Sequence, residues 1–210
     1  MRLASKLVLP MLLTTWLVTP AFSESTVPSE SIMVFGGWAT ETNFTELFYA
    51  PQTIHLNDIG VIGAAYSRRL GTGNELAGDL GLGDLGDDLS VESEIGTSAR
   101  FGDESLGEVW VALYLRYDGL PWNETIYSTI ALNTGLSLLT DLSDFEEGRD
   151  KNGESSELLH YLGPEITFAD PDAKDLEMVI RLHHRSGVFG LFDGVVSGST
   201  FISSGIRVRF

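Results

Sequence analysis

Apolar and polar residues alternate along most of this 210-residue chain. The clearest run spans residues 108–117, where one set of alternate positions is apolar: Val109, Val111, Leu113, Leu115 and Tyr117. The positions between them are Glu108, Trp110, Ala112, Tyr114 and Arg116. An alternation of period two is the pattern of a β-strand with one apolar face. The segment therefore predicts a strand.

The same period recurs in seven further segments. They predict strands at residues 32–40, 58–70, 89–101, 126–138, 156–168 and 176–186, and a short final strand that ends at Phe210. No helical pattern separates them, so we expect an all-β fold of eight strands. Pro164 lies inside the sixth strand and cannot donate to a β-ladder, so a bulge or a distorted edge is expected there.

The N-terminal segment predicts export. Arg2 and Lys6 precede an apolar run at residues 7–18, and small residues stand at the cleavage positions of Ala21-Phe22-Ser23. These features indicate a signal peptide at residues 1–23, removed after Ser23, and one domain at residues 24–210.

An exported all-β chain whose apolar faces are about ten residues long fits a transmembrane barrel. The even strand number and the final Phe210 also favour an eight-stranded antiparallel β-barrel of the cell outer membrane. A soluble β-sandwich or lipocalin-like barrel is the alternative, because periodicity alone does not separate the two.

The charge and the cysteine content exclude several classes of function and site. The formal net charge is −17, and acidic residues concentrate in the predicted loops at residues 79–88 and 141–157. Such a chain is not expected to bind nucleic acid phosphates. The absence of cysteine excludes disulfides and cysteine metal sites. We therefore predict a solvated acidic rim, with no cofactor and no metal.

The segment at residues 71–88 is rich in Gly, Asp and Leu and predicts a mobile loop. It has a faint likeness to calcium-binding Gly/Asp nonapeptides, but it is a single copy with irregular spacing, so calcium is the weaker alternative. Its length conflicts with the short periplasmic turns of such barrels. Either it contains part of a longer hairpin, or the second and third strands are misplaced.

The polar faces of the strands carry many charges. We expect them to fill the barrel as a buried charge network with no open pore. The predicted members are Glu108, Arg116, Glu165, Glu177, Arg181, His183 and Arg185.

The seventh predicted strand carries the candidate chemistry. His184 and Ser186 continue its apolar face, which is formed by Leu176, Met178, Ile180 and Leu182. With an even strand number both chain ends lie in the periplasm, so this strand runs outward. The two residues would then lie at the depth of the ester-linked acyl chains of lipopolysaccharide. The alternative is structural: the strand simply leaves its apolar surroundings here.

The sequence His184-Arg185-Ser186, the Gly-rich loop after it and the short last strand ending in Arg-Phe resemble the outer-membrane lipid A 3-O-deacylases of the PagL type, also called acyloxyacyl hydrolase-like. The resemblance implies that Ser186 is the nucleophile and His184 its general base. It also implies a glutamate near the start of the last strand that orients the histidine.

That glutamate has no match, because the segment reads Val196-Ser197-Gly198-Ser199. Asp193 is the nearest carboxylate and the candidate for the orienting role. The backbone N–H of Gly187 is the candidate oxyanion donor.

Two functions follow from these residues. The first is an esterase that removes an ester-linked acyl chain from lipid A by Ser/His catalysis, with lipopolysaccharide and outer-membrane lipids as partners. The second is a non-catalytic eight-stranded barrel that stabilises the envelope or binds a partner through its acidic loops. A carboxylate within hydrogen-bond reach of His184 would favour the first. The acyl chain removed and the oligomeric state stay open.

Overall fold

A computed structural model describes residues 28–210 apart from positions 82 and 84, with Leu80 described by its backbone only. The predicted signal peptide lies outside the described residues. Among these residues, no helix has the length and apolarity needed to cross a membrane.

Eight antiparallel strands form a closed barrel, as the alternation predicted. Each strand pairs with its neighbours in sequence, and the first pairs with the last. The strands are β1 (Glu30–Thr40), β2 (Leu56–Thr72), β3 (Leu89–Gly102), β4 (Gly107–Tyr117), β5 (Tyr127–Leu139), β6 (Leu158–Asp170), β7 (Ala173–Ser186) and β8 (Thr200–Arg209).

Connections between the strands lie at both ends of the barrel. The end with the loops after β1, β3, β5 and β7, opposite Glu30 and Phe210, is called the outer end below. Short helices lie in three connections: α1 (Glu46–Tyr49), α2 (Gly73–Leu80) and α3 (Asp144–Arg149). At the other end, backbone bonds between Glu30 and Phe210 join the first and last strands.

Apolar side chains form a belt around the outside. In β4 the side chains of Val111 and Leu113 are about half exposed, at 52% each, whereas Trp110 before them and Tyr114 after them are buried. The predicted residues Ile130, Leu132, Ile180 and Leu182 have the same outward parity in β5 and β7. A soluble barrel would bury such a belt, so the molecule is a transmembrane barrel.

The interior is the predicted charge network. Glu165 accepts hydrogen bonds from Arg116, Arg181 and Arg207, at 2.9, 2.6 and 2.7 Å for the shortest contact of each. His183 Nε2 lies 2.9 Å from Glu108 Oε1, and Arg185 is fully buried. Further members that the sequence analysis did not single out are Glu92, Glu94, Arg100, Glu146, Arg207 and Arg209. These side chains fill the barrel rather than line a channel.

The connection after β2 corrects one expectation. Residues 71–88 were predicted as a loop, but they contain the helix α2. The Thr72 hydroxyl accepts from the Glu75 backbone N–H, the Glu75 carboxylate accepts from the Thr72 N–H, and Gly81 ends the helix at φ 68°. This reciprocal cap satisfies the first free N–H groups of the helix. Because β2 and β3 lie where predicted, those strands were not misplaced.

Of the two alternatives expected at Pro164, a bulge or a distorted edge, the bulge is wrong. The register between β6 and β7 is the same on both sides of the proline, with Leu162 opposite His184 and Glu165 opposite Arg181. Pro164 stays paired with Leu132 on β5. The missing N–H therefore interrupts the ladder to β7 locally and does not shift it.

Candidate functional site

His184 and Ser186 lie on the outward face at the outer end of β7, the face that the alternation predicted. Both side chains are partly buried, whereas Arg185 between them points inward and is fully buried. The pleat of the strand explains the arrangement, because successive side chains point to opposite faces.

The imidazole of His184 is held by Thr200. The two residues are direct partners across the β7–β8 ladder, and His184 Nδ1 lies 2.8 Å from Thr200 Oγ1. With the proton on Nδ1 donated to this hydroxyl, Nε2 keeps its lone pair and can act as a base. Thr200 is the first residue of the last strand, and its hydroxyl is a neutral group.

The loop between β1 and β2 covers this histidine from outside the barrel. The ring of Phe44 stacks on His184 with centroids 4.3 Å apart and an interplanar angle of 20°, and Phe48 contacts Phe44 edge-on. The loop is tied together at its base, where the Thr42 hydroxyl donates to the Thr53 carbonyl at 2.7 Å. His184 is thus packed between the barrel wall and an aromatic side chain.

An apolar groove of about 480 Å³ runs between this loop and the wall. Its lining includes Phe44, Phe48, Ile130, Leu132, Leu162 and Pro164. His184 contacts this groove through Phe44, which lines it. Because the groove is lined by residues of the apolar belt, a hydrocarbon chain can lie in it without leaving the membrane.

A second histidine, which the sequence analysis missed, lies beside Ser186. His160 on β6 is the direct cross-strand partner of Ser186, and its Nε2 lies 2.8 Å from Thr134 Oγ1. In the described part of the chain the Ser186 hydroxyl makes no hydrogen bond. The signal for His160 was its parity, since it stands between Leu158 and Leu162 on the apolar face of β6.

Asp193 is engaged away from His184. Its Oδ2 accepts a hydrogen bond from the Ser156 hydroxyl at 2.6 Å, and its backbone is left-handed at φ 48°. Among the described residues, no carboxylate pairs with His184. The orienting role predicted for Asp193 would need a rearrangement of the β7–β8 loop.

The backbone N–H of Gly187, the predicted oxyanion donor, already donates to the Ser197 carbonyl at 3.2 Å. A Cβ at this position would lie 1.9 Å from the Val195 carbonyl oxygen, so the close approach of the loop requires glycine. The next residues, Val188 and Phe189, have left-handed φ values of 49° and 57°. As folded, Gly187 anchors a tight turn.

Helix α3 covers the outer end of the interior and holds the β7–β8 loop. Glu146 is fully buried and accepts from Arg100 at 3.0 Å and from Ser199 at 2.6 Å. The Asp150 carboxylate accepts from the backbone N–H groups of Val196 and Ser197 at 2.6 and 2.8 Å. Burial opposes the ionisation of Asp150, but the hydrogen bonds from Ser197, Asn152 and Val196 lower its pKa to about 2.

The described residues contain no cluster of three or more His, Asp or Glu side chains that could hold a metal ion. The polar groups on the outward strand faces near the outer end include hydroxyls and imidazoles, which can take part in acid–base or nucleophilic chemistry. We call five of them, which all lie on the outward faces of their strands, the rim patch: Thr134, His160, His184, Ser186 and Thr200. Thr200 is buried on this face, and Phe44 covers His184.

The chain is similar to several solved structures, and the first of these shares its fold. The crystal structure of the outer membrane enzyme PagL is 11% identical, with a TM-score of 0.56 over 86% of this chain and 99% of that chain. Neisserial surface protein A is 11% identical, with a TM-score of 0.47 over 86% and 97% of the two chains. Ail of Yersinia pestis is 12% identical, with a TM-score of 0.38 over 86% and 99%.

No protein-family model and no curated sequence matches the chain. The closed eight-stranded fold and the outward apolar belt make the protein a β-barrel of the outer membrane.

Proposed function

We propose that the barrel is an esterase that removes an ester-linked acyl chain from lipid A in the outer leaflet. The observation that carries the proposal is the 2.8 Å contact between His184 Nδ1 and Thr200 Oγ1, on the lipid-facing side and two residues from Ser186. It supports an imidazole whose Nδ1 is held by the Thr200 hydroxyl and whose Nε2 can accept a proton. A serine hydroxyl needs such a base to become a nucleophile.

The reaction would proceed in two halves. Ser186 Oγ attacks the ester carbonyl carbon while its proton passes to His184 Nε2, and the carbonyl electrons move onto oxygen. The C–O bond to the sugar then breaks, and His184 returns the proton to the departing hydroxyl. In the second half a water molecule attacks the acyl-serine with His184 again as base, releases the fatty acid and restores Ser186.

The location suits this substrate. An ester of a membrane lipid lies where the acyl chains meet the polar headgroup, near the end of the hydrocarbon region. The groove under Phe44 and Phe48 offers an apolar surface for the chain that is cut, and Phe44 also stacks on His184. The fold is similar to that of PagL, whose description as an outer membrane enzyme agrees with the proposal.

A second candidate is a non-catalytic barrel with a structural or partner-binding role. It is favoured by the neutral group at His184, since loss of the orienting acid costs about 10⁴-fold in a serine protease. The acidic outer loops would then be the functional surface.

Purified barrel mixed with lipopolysaccharide in detergent tests the first candidate. We expect free fatty acid to be released and lipid A to lose the mass of one hydroxyacyl chain. Ser186→Ala and His184→Ala should each abolish the release. Thr200→Val, which keeps the shape but removes the hydroxyl, should slow it at least about tenfold, with the roughly 10⁴-fold loss of serine proteases as the upper bound.

Thr200→Ser is the matched control, because it retains the hydroxyl, and it should stay near the wild-type rate. All variants must keep the heat-modifiable electrophoretic mobility of the folded barrel. Wild-type protein that releases no more fatty acid than Ser186→Ala, across several lipid A types, would leave the non-catalytic candidate.

A further inference from the structure

An ester hydrolase needs a donor for the negative oxygen that forms when the nucleophile attacks. Removing one such donor typically costs about 10²- to 10³-fold in kcat. The N–H of Gly187 is committed to the Ser197 carbonyl. The donor must therefore come from another group on the outward face, close to Ser186.

His160 is placed for this role. It lies directly opposite Ser186 in the β6–β7 register, with Leu136 as its partner on the other side. Side chains of directly opposed residues on one face have Cβ atoms about 4.5 to 5.5 Å apart. His184 is the diagonal neighbour of His160, about 7 to 8 Å away. Ser186 thus has an imidazole on its own strand and another on the adjacent strand.

The contact with Thr134 orients the second imidazole. Thr134 Oγ1 lies 2.8 Å from His160 Nε2, on the side of the ring that faces β5. When the threonine hydroxyl donates to Nε2, the ring proton is on Nδ1, which is the nitrogen nearer the backbone. A neutral imidazole of this tautomer is a hydrogen-bond donor, and neutral histidine is an established polariser of carbonyl groups in enzymes.

We propose that His160 is the oxyanion donor of this site, with its Nδ1–H directed at the carbonyl oxygen of the ester that Ser186 attacks. The inference rests on the proposed function and gives a second histidine, separate from His184, a role in the reaction. In the attack step Ser186 Oγ bonds to the carbonyl carbon and its proton goes to His184. The carbonyl π electrons go to the oxygen, which accepts from His160. The bond from His160 strengthens as the charge develops, so it lowers the barrier rather than improving substrate binding.

Two substitutions separate a donor from a base or a packing residue. His160→Asn places an amide N–H where Nδ1–H was, but it has no group that titrates. His160→Leu fills similar space with no donor. We expect His160→Leu to lower kcat for fatty acid release about 10²- to 10³-fold with little change in KM, and His160→Asn to stay within about tenfold of wild type. Thr134→Val should lower kcat by less than His160→Leu, because it removes only the orienting bond.

A long-chain alkyl fluorophosphonate gives a readout that does not depend on the lipid headgroup. Ser186 Oγ forms a bond to phosphorus, fluoride leaves and the serine proton goes to His184, so the labelling rate reports the same constellation. We expect wild type and His160→Asn to label at Ser186 and His160→Leu to label at least about tenfold more slowly.

The outcomes distinguish this inference from the function on which it rests. If Ser186→Ala abolishes release and labelling but His160→Leu lowers neither, the esterase stands and the role of His160 is wrong. If His160→Asn is as inactive as His184→Ala, His160 acts by titration and is not a simple donor, which also overturns the proposal. If wild type neither releases fatty acid nor labels at Ser186, both the esterase and the donor are wrong.

Discussion

The interior and the rim patch use polar residues in opposite ways. Inside, Glu165 alone accepts from three arginines, and both sides of each ion pair are almost fully buried. In the rim patch, each imidazole has a threonine hydroxyl and no carboxylate within hydrogen-bond distance, and the Ser186 hydroxyl has no partner among the described residues. Both groups of residues lie on the same strands, where successive side chains point inward and outward in turn. Under the proposed function, the interior serves stability and the rim patch serves chemistry.

Membrane energetics support the same division. A polar group that faces hydrocarbon without a full set of hydrogen bonds costs free energy, so polar residues in the lipid-facing belt are functional candidates. His160 and His184 both stand on otherwise apolar strand faces. The predictions below test whether loss of an inward residue and loss of an outward residue have the different effects that this division requires.

The largest expected effect is in the interior. Glu165→Leu leaves Arg116, Arg181 and Arg207 without their common acceptor, so we expect the free energy of unfolding to fall by about 3 to 5 kcal/mol. Urea unfolding in lipid vesicles, followed by heat-modifiable mobility, measures it. The control Glu124→Leu changes an exposed glutamate in the β4–β5 connection and should stay within about 0.5 kcal/mol. Equal losses for the two variants would contradict the network.

The belt is next. Leu113→Arg places a charge on the lipid-facing side in the middle of β4 and should cost about 2 to 4 kcal/mol of unfolding free energy. Leu138→Arg, near the outer end of β5, should cost about 0 to 1 kcal/mol, because the side chain can reach the headgroup region. If the midplane and rim substitutions cost the same, the belt does not lie in the bilayer as its position implies.

Most of the fold could be predicted from alternation alone. In β4 and β5 the apolar parity sufficed to assign each side chain to the belt or the interior, since the pleat fixes the face of every residue. The ion pairs could not be predicted. Arg181 contacts Glu94, 87 residues earlier in the chain, across the barrel interior. Such a contact depends on the curvature and stagger of the closed sheet, which single-strand patterns do not contain.

The same limit applies to the rim patch. His184 and Ser186 share a strand, so their common face was visible in the sequence. His160 and Thr200 join them only through the registers of β6 with β7 and of β7 with β8. The helix α2 is different, because its capping pair, Thr72 and Glu75, is a local signal that the Gly/Asp-rich composition obscured.

A smaller effect is expected at the attachment of the β7–β8 loop. Asp150→Ala removes the carboxylate that accepts from Val196 and Ser197, so outer-loop cleavage by an added protease should become several-fold faster. Asp150→Asn keeps one acceptor oxygen and should give an intermediate rate.

The pKa of Asp150 sets the pH range of this attachment. Its pKa is lowered from 3.8 to about 2, so the ionised form stabilises the attachment above pH 3.8 and the contribution is lost as the pH falls through about 2. Protease resistance of the loop should therefore be constant from neutral pH to about pH 4. A loss of resistance between pH 7 and pH 5 would point to another group.

The smallest stability effect is expected at the proposed nucleophile, and an inward serine is its matched control. Ser137 is buried and its hydroxyl donates to Glu108 Oε1 at 2.5 Å, so Ser137→Ala should cost about 1.5 to 3 kcal/mol. Ser186→Ala removes an outward hydroxyl that has no partner in the described chain, so the free energy of unfolding should change by less than about 0.5 kcal/mol. The same substitution should abolish fatty acid release. If Ser186→Ala destabilises the barrel as much as Ser137→Ala does, Ser186 has a structural role, and loss of release could no longer be attributed to chemistry at the rim patch.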